Sequence, residues 1–494
     1  MKYILAIDEG TTGATCLMIG DDGRVGGRGY REIPQSFPRA GWVEHDPMEI
    51  LECVRGAAHD AVRAAGANPV AIGVTNQRET VVVWERATGK PVHPAIVWQD
   101  RRTTARCQEL APRSEWIATR TGLVPDAYFS ASKIEWLLQH ERLLDRYDAS
   151  DLAVGTIDSW LVWQLTGGAV HATDPTNASR TMLYDIDQHA WSAELCDLFG
   201  VPMEMLPEVR RSSGDFGLAR GDVLGFDAPI LGIAGDQQSA LFGQGCFTRG
   251  TGKNTYGTGA FLLLNAGATR PASRDGLLTT IGCDATGGPA YAVEAAIFIA
   301  GAAVQWLRDG LGIIANAGET DALARSIEST DGVYFVPALT GLGAPYWEPD
   351  ARGTIVGLTR GTGRAHLVRA ALEAMAFGTA EVLDSMSQAS GAPFDRLRVD
   401  GGATMNDWLM QFQADILGVP IERPDMIETT ALGAAGLAGL AARVWKDADE
   451  FLATRRFTSF APRMNRAAAD TLMTGWRRAV RATISWARDH GAVR

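Results

Sequence analysis

The sequence predicts an α/β fold built as two large units, and three observations carry that expectation. The chain has 494 residues, more than a single hydrophobic core normally organises. Short apolar runs alternate with longer segments of helical period. An apolar run that ends in Asp and continues into Gly and Thr occurs as "LAIDEGTTG" (5–13) and again as "LRVDGGATMN" (397–406), with a variant in "ILGIAGDQQSALFGQG" (230–245). Strand–Asp–Gly is common turn chemistry, but its return in both halves favours a duplication. The Gly- and Thr-rich stretch "GQGCFTRGTGKNTYGTGAF" places the boundary near 245–250, which gives units 1–247 and 248–494.

Taken in chain order, "YILAID" (3–8), "PVAIGVT" (69–75) and "TVVVWE" (80–85) read as strands, two of them apolar enough to be buried on both faces. The segment 46–66 reads as a helix, with Asp46 as N-cap, Pro47 at the first helical position and Gly66 at the end. Further helical patterns cover 130–141 and 364–386. Between two strand patterns, Asn76, Gln77, Arg78, Glu79 and Thr80 interrupt the apolar run. An ordinary solvated turn is the commoner reading of such a segment; a polar ligand site is the other.

Composition excludes several classes. The balance of 46% hydrophobic and 21% charged residues is that of a globular protein. A net charge of -12 argues against a nucleic-acid partner, because phosphate backbones select basic surfaces. The six cysteines, Cys16, Cys53, Cys107, Cys196, Cys246 and Cys283, lie far apart without a CxxC, so neither a disulfide framework nor a zinc site is expected. The apolar start stops at Asp8, too early for a signal peptide. The longest apolar stretch, "TALGAAGLAGLAA" (430–442), is too short to span a bilayer. A cytoplasmic protein without membrane insertion is expected.

Three loops have the chemistry of phosphate or nucleotide cradles. In "DEGTTG", Gly10 permits a tight turn, Gly13 a close backbone approach, and Thr11 and Thr12 supply hydroxyl and N–H donors. No GxxxxGK[ST] follows, so this is not a P-loop. Asp8, at the strand end, has the hard oxygen that Mg²⁺ prefers. "NTYGTGAF" (254–261) and "DGGATMN" (400–406) repeat the small-residue pattern. Together they fit a nucleotide clamped between two units.

With "DEGTTG", "TNQRET", "IVWQDRR", "YFSASKIEWLL", "GIAGDQQSALFGQ", "KNTYGTGAFLL", "GLGAPYWEPDARG", "RVDGGATMNDWLMQFQADILG" and "TALGAAGLAGLA" in place, the chain resembles the glycerol kinases of the FGGY carbohydrate kinase family from about residue 3 to about 445. That resemblance implies two domains of the actin and hexokinase (ribonuclease H-like) type around a cleft. It also implies ATP and Mg²⁺, a homodimer or homotetramer, and phosphorylation of glycerol to sn-glycerol 3-phosphate. Residue by residue, it places Arg78, Glu79, Trp98, Tyr128, Asp236, Gln237 and Phe261 around glycerol, with Asp236 as general base. It assigns Thr11, Thr12, Gly13 and Thr258 to the phosphates, Gly301, Gln305, Gly402 and Asn406 to the adenosine side, and Asp8 to the metal. A glycerol pocket needs paired donors and acceptors at the hydroxyls and apolar walls along the carbons. The fork of Arg78, the carboxylate of Glu79, and Trp98 and Phe261 as walls meet that need, provided the Asn76–Thr80 break bends the chain so that neighbouring residues face one ligand.

The first loop departs from the family's usual pattern. Glu9 stands where a glutamine is usual and Thr15 where an arginine often assists the phosphates, which makes the loop two charges more negative. In place of the "GGTR" through which some relatives bind fructose 1,6-bisphosphate stands "GLARGDVLGFDAP" (217–229), so that inhibition is expected to be weak or absent. Two rival readings stay open: a kinase for a larger acceptor such as xylulose or erythritol, and a nucleotide switch or glycerol sensor without catalysis, for which Asp236 would have no use as a base.

Overall fold

The structure is a computed structural model that describes residues 1–274 and 276–491. Two mixed sheets organise it. The first contains Leu218–Ala219, Ala228–Gly235, Ala71–Asn76, Tyr3–Gly10, Gly13–Gly20 and Val25–Glu32, in that spatial order. Tyr3–Gly10 and Gly13–Gly20 form an antiparallel hairpin that Val25–Glu32 extends. On the other side Ala71–Asn76 and then Ala228–Gly235 run parallel. The second sheet repeats this plan. Thr251–Tyr256 and Ala260–Gly267 form the hairpin, Pro289–Ile297 extends it, and Arg396–Asp400 and Ile421–Pro424 add on in parallel.

The duplication expected from sequence is therefore present, but its register differs from the one read there. "LAIDEGTTG" opens the first hairpin, whereas "LRVDGGATMN" spans the end of Arg396–Asp400, a parallel strand of the second sheet, and the turn after it. The true counterpart of the first hairpin is Thr251–Tyr256 with Ala260–Gly267. "ILGIAGDQQ" spans the end of Ala228–Gly235, the parallel strand beside Ala71–Asn76, and the start of the helix Asp236–Gly243. All three turns leave the C-terminal ends of parallel strands, where loops of ligand-binding α/β sheets gather. Like chemistry there does not require like topology.

Helix signals hold in detail. Pro47–Ala65 is capped by the Asp46 side chain, which accepts from Met48 N at 2.8 Å, and it ends on Gly66 at φ 66°. Ser130–His140 matches expectation, and the last of the three runs longer than expected, over Arg364–Ser390. The apolar helix Thr429–Ala441, from the second half of the chain, packs on the first sheet and on Asp236–Gly243. Small residues make this approach possible: a Cβ on Gly433 would stand 1.8 Å from Ser239 O, and one on Gly73 2.1 Å from Ala434 O. Among the described residues no helix is long and apolar enough to cross a membrane.

Candidate active site

The strand Ala71–Asn76 leaves the first sheet, and Val81–Glu85 begins a second, four-stranded sheet beside it. The four residues between make the sharpest bend of the site. Thr80 N donates to Arg78 O at 2.8 Å around Glu79, whose φ is 64°. This is a γ-turn on a non-glycine residue, a rare and strained conformation costing on the order of 1–3 kcal/mol. The bend is not solvated: Arg78 is 3% and Glu79 1% exposed. The charged-turn reading is thereby excluded.

Burying these charges demands partners, and the structure supplies two that the sequence reading missed. Arg78 donates from Nη1 and Nη2 to the two oxygens of Glu294, at 2.6 and 3.2 Å. Arg180 donates from Nη2 to Glu294 Oε1 at 3.0 Å and from Nε to Glu79 Oε1 at 2.6 Å. Two arginines and two carboxylates thus form a neutral buried set. Burial would raise the Glu294 carboxyl, but the charges of Arg180 and Arg78 outweigh it and hold the group at about 2. The remaining donors of Arg78 reach Asp236 Oδ1 from Nε at 3.2 Å, Gln238 Oε1 at 3.2 Å and the Tyr128 hydroxyl at 3.4 Å. The fork expected to be free for a ligand is thus mostly engaged, and the long contacts to Tyr128 and Gln238 are the ones a hydroxyl would displace. Glu79 Oε2 has no hydrogen bond among the described residues and remains an open acceptor.

The predicted walls gather here. Trp98 lies edge-on to Tyr128, with ring centroids 5.6 Å apart, and its indole N–H donates to Thr11 Oγ1 at 2.9 Å, tying the wall to the first loop. Phe261 belongs to the second sheet. Cross-strand pairing of Thr255 with Phe261, Lys253 with Leu263 and Leu263 with Glu294 puts Lys253, Thr255, Phe261 and Glu294 on one sheet face, the face that meets Arg78. Tyr128 is fixed from behind by Lys133, a fully buried lysine that donates to the carbonyls of Ala127, Tyr128 and Phe129 at 2.6, 2.7 and 2.9 Å.

Asp236 is the first residue of the helix Asp236–Gly243, whose N-cap is Gly235. Its Oδ1 accepts from Gln237 N at 2.7 Å, and its side chain keeps a third of its surface open. Asp8 lies close enough that burial, followed by the charge of Asp236, pushes its carboxyl up to about 7. Two carboxylates facing one another in this way call for a cation with oxygen preference. Among the described residues no three His, Cys, Asp or Glu side chains form a closed metal cage.

Glu9 requires a correction. Strand alternation turns it away from Asp8, and it is 0% exposed. Its Oε1 accepts from Gln77 Nε2 at 2.8 Å, and its Oε2 has no partner. Burial raises its carboxyl to about 8, against the opposing bonds from Gln77, which favours its neutral form near neutral pH. Thr15 pairs beside Asp8, where the loss of a cation stands. At Gly13 the space a Cβ would take is filled by the Tyr30 ring, 2.6 Å away. In the 217–229 segment, Arg220 is held by Asp222 at 2.9 and 2.6 Å.

On the other side lies a cavity of about 470 Å³, lined by Thr258, Gly301, Gln305, Gly402 and Asn406. Every residue expected on the adenosine side meets there, with Asp321 and Arg308 added. Asn406 also caps the helix Asp407–Leu417, accepting from Leu409 N at 2.9 Å and donating to Thr320 Oγ1 at 3.0 Å.

Comparison with known proteins agrees with this geometry. The family models for the FGGY family of carbohydrate kinases match residues 3–243 for the N-terminal domain and 252–442 for the C-terminal domain. Glycerol kinase of Polaromonas naphthalenivorans is 52% identical over 495 residues, spanning 98% of this chain and 100% of the relative. Glycerol kinase 2 of Thermotoga maritima is 51% identical over 493 residues, 98% of this chain and 99% of the relative. The crystal structure of Plasmodium falciparum glycerol kinase with ADP superposes with a TM-score of 0.93 at 37% identity, covering 98% of each chain. The chain belongs to the FGGY family of carbohydrate kinases.

Proposed function

We propose that this chain transfers the γ-phosphoryl group of ATP to a terminal hydroxyl of glycerol, giving sn-glycerol 3-phosphate and ADP. The observation that carries the reading is the buried Arg78–Glu79 bend, with the open acceptor Glu79 Oε2 and the partly open carboxylate of Asp236 beside it. The full-length relatives named glycerol kinase support it. A triol of three carbons suits the few fixed polar groups of Arg78, Glu79 and Asp236, with Trp98 and Phe261 as walls. Glu79 Oε2 accepts from one hydroxyl. The weakly held donors of Arg78 turn from Tyr128 and Gln238 to hydroxyl oxygens. Asp236 accepts the proton of the attacking hydroxyl as its oxygen bonds to phosphorus and the bond to ADP breaks.

Thr11 and Thr12 on one hairpin and Thr258 on the other donate to phosphate oxygens. Gly301, Gln305, Gly402 and Asn406 hold the adenosine end in the 470 Å³ cavity. Asp8 would hold Mg²⁺, which when bound supplies positive charge to the phosphates. Units 1–247 and 248–494 act as two jaws whose approach excludes water from the transfer. The same reading gives a cytoplasmic, homo-oligomeric enzyme. The test is ADP release from ATP with glycerol, xylulose, erythritol or no acceptor. Glycerol-dependent turnover well above the others supports the proposal. Equal turnover without acceptor, or preference for a larger polyol, rejects it.

A further inference from the structure

We infer that Lys253, reaching from the second sheet through Gln237, holds the carboxylate of Asp236 in its reactive orientation, so that the proton acceptor is competent only when the two halves are engaged. This rests on the reading of Asp236 as the base of glycerol phosphorylation.

Lys253 is 0% exposed on the strand Thr251–Tyr256. Its ammonium donates to Gln237 Oε1 and, at 2.8 Å, to Thr255 Oγ1. Gln237 lies on the helix that follows the first sheet. Its Nε2 donates to Asp236 Oδ2 at 3.3 Å, and its backbone N to Asp236 Oδ1 at 2.7 Å. The chemistry allows one orientation only. An ammonium can only donate and an ionised carboxylate can only accept, so the carbonyl end of Gln237 must face Lys253 and its amide end Asp236. Both ends of the carboxamide are therefore engaged, and Gln237 acts as a relay between sheet and base. Arg78 Nε, 3.2 Å from Asp236 Oδ1, holds the carboxylate from the other side. Only Oδ2 keeps room for a proton from the cleft.

Lys253 belongs to the second sheet and Gln237 to the helix that follows the first, so parting of the halves at this point breaks the ammonium contact. Gln237 is then free to rotate, and Asp236 loses the donor that sets its Oδ2. Lys253 is thus a positioning residue that limits proton transfer from glycerol to the closed cleft.

The test uses the full chain with Lys253→Met, Lys253→Arg, Gln237→Leu and the double variant Lys253→Met/Gln237→Leu, with steady-state kinetics in glycerol and ATP. Wild-type turnover on glycerol is measured first; its absence rejects the parent reading and not this one. Given an active wild type, Lys253→Met and Gln237→Leu should each lower kcat about 10²-fold, the scale of a misplaced reacting group. KM for ATP should stay within about threefold, because neither residue lines the nucleotide cavity. The double variant should be no worse than the poorer single, because the two act as one chain. Lys253→Arg should restore at least about a tenth of wild-type kcat by supplying donors. A Lys253→Met enzyme with kcat within about threefold of wild type overturns the inference, as do losses that multiply in the double variant. Should Lys253→Met fail to fold, Gln237→Leu decides alone, and near-normal kcat overturns the inference.

Discussion

Glu294 should be the most sensitive position outside the residues expected to touch substrate. It is a lone acid in the strand Pro289–Ile297, yet it accepts three charge-assisted bonds, from Arg78 at 2.6 and 3.2 Å and from Arg180 at 3.0 Å. Truncation to Ala would leave two buried guanidiniums with Glu79 as the only carboxylate of the set. Removing one partner of a buried ion pair costs about 3–5 kcal/mol. Three charge-assisted bonds at about 1.5–3 kcal/mol each would exceed that, but Arg78 can tighten onto Asp236 and recover part. We therefore expect a loss of about 3–5 kcal/mol for Glu294→Ala, and about half for Glu294→Gln, which keeps one acceptor. Arg78 pulled toward Asp236 also vacates its place beside Glu79, so the glycerol KM should rise at least about tenfold while the ATP KM moves less than about threefold. Denaturant unfolding with glycerol and ATP titrations reads both effects. Glu294→Gln with an unchanged midpoint and a glycerol KM within twofold of wild type would falsify the view that this carboxylate sets the arginine.

Asp236→Asn should keep ADP binding but lower kcat by about 10²–10⁴, the usual worth of a general base; near-normal turnover removes Asp236 from that role. Lys133→Met strands the carbonyls of Ala127, Tyr128 and Phe129, at about 1–3 kcal/mol each, so unfolding should come at least about 3 kcal/mol earlier and glycerol affinity should fall through Tyr128. Burial draws the Lys133 ammonium down to about 7, but three carbonyl acceptors need all three of its protons, and an unaltered midpoint would show that this demand is unreal. Glu9→Gln bears on pH. Burial pushes the folded carboxyl to about 8 against an ordinary 4.5, so its contribution to wild-type stability is fullest below 4.5 and is lost as pH rises toward 8. At about 1.4 kcal/mol per unit the loss is at most about 4–5 kcal/mol. The variant should lack this slope and melt higher than wild type at pH 8; parallel melting curves from pH 5 to 8 would refute it.

What the sequence made legible was whatever depends on near neighbours. Asp46 and Gly66 bound their helix because caps act within four residues. The break at Asn76–Thr80 bent as required because polar residues between two apolar runs leave the strand no partner there. The adenosine-side residues converged because Gly402 and Asn406 follow the strand Arg396–Asp400, and Gly301 and Gln305 lie on the helix Gly301–Asp309 that follows the strand Pro289–Ile297. What stayed hidden depends on distant pairing. Glu294 lies 216 residues from Arg78 and 114 from Arg180, and nothing around "YAVEAAI" names its partners, although an isolated acid in an apolar strand is itself a sign of a buried pair.

The miscounted charge at Glu9 and the unseen face of Lys253, Thr255, Phe261 and Glu294 have one physical cause. A strand sends successive side chains to opposite sides. Two adjacent acids, Asp8 and Glu9, therefore share a sequence but not an environment: one faces Asp236 and the other a buried glutamine. Conversely, residues from three separate segments share a face once register joins them. Charge counted along the chain misleads wherever a sheet divides it. Counted by face, this site is nearly balanced at its acceptor end, with Arg78 and Arg180 against Glu79 and Glu294. It has an excess of negative charge at Asp8 and Asp236, where a cation and a phosphoryl group would meet. That asymmetry follows from the fold and not from composition, and under the proposed function it would separate the place where glycerol is held from the place where phosphorus is attacked.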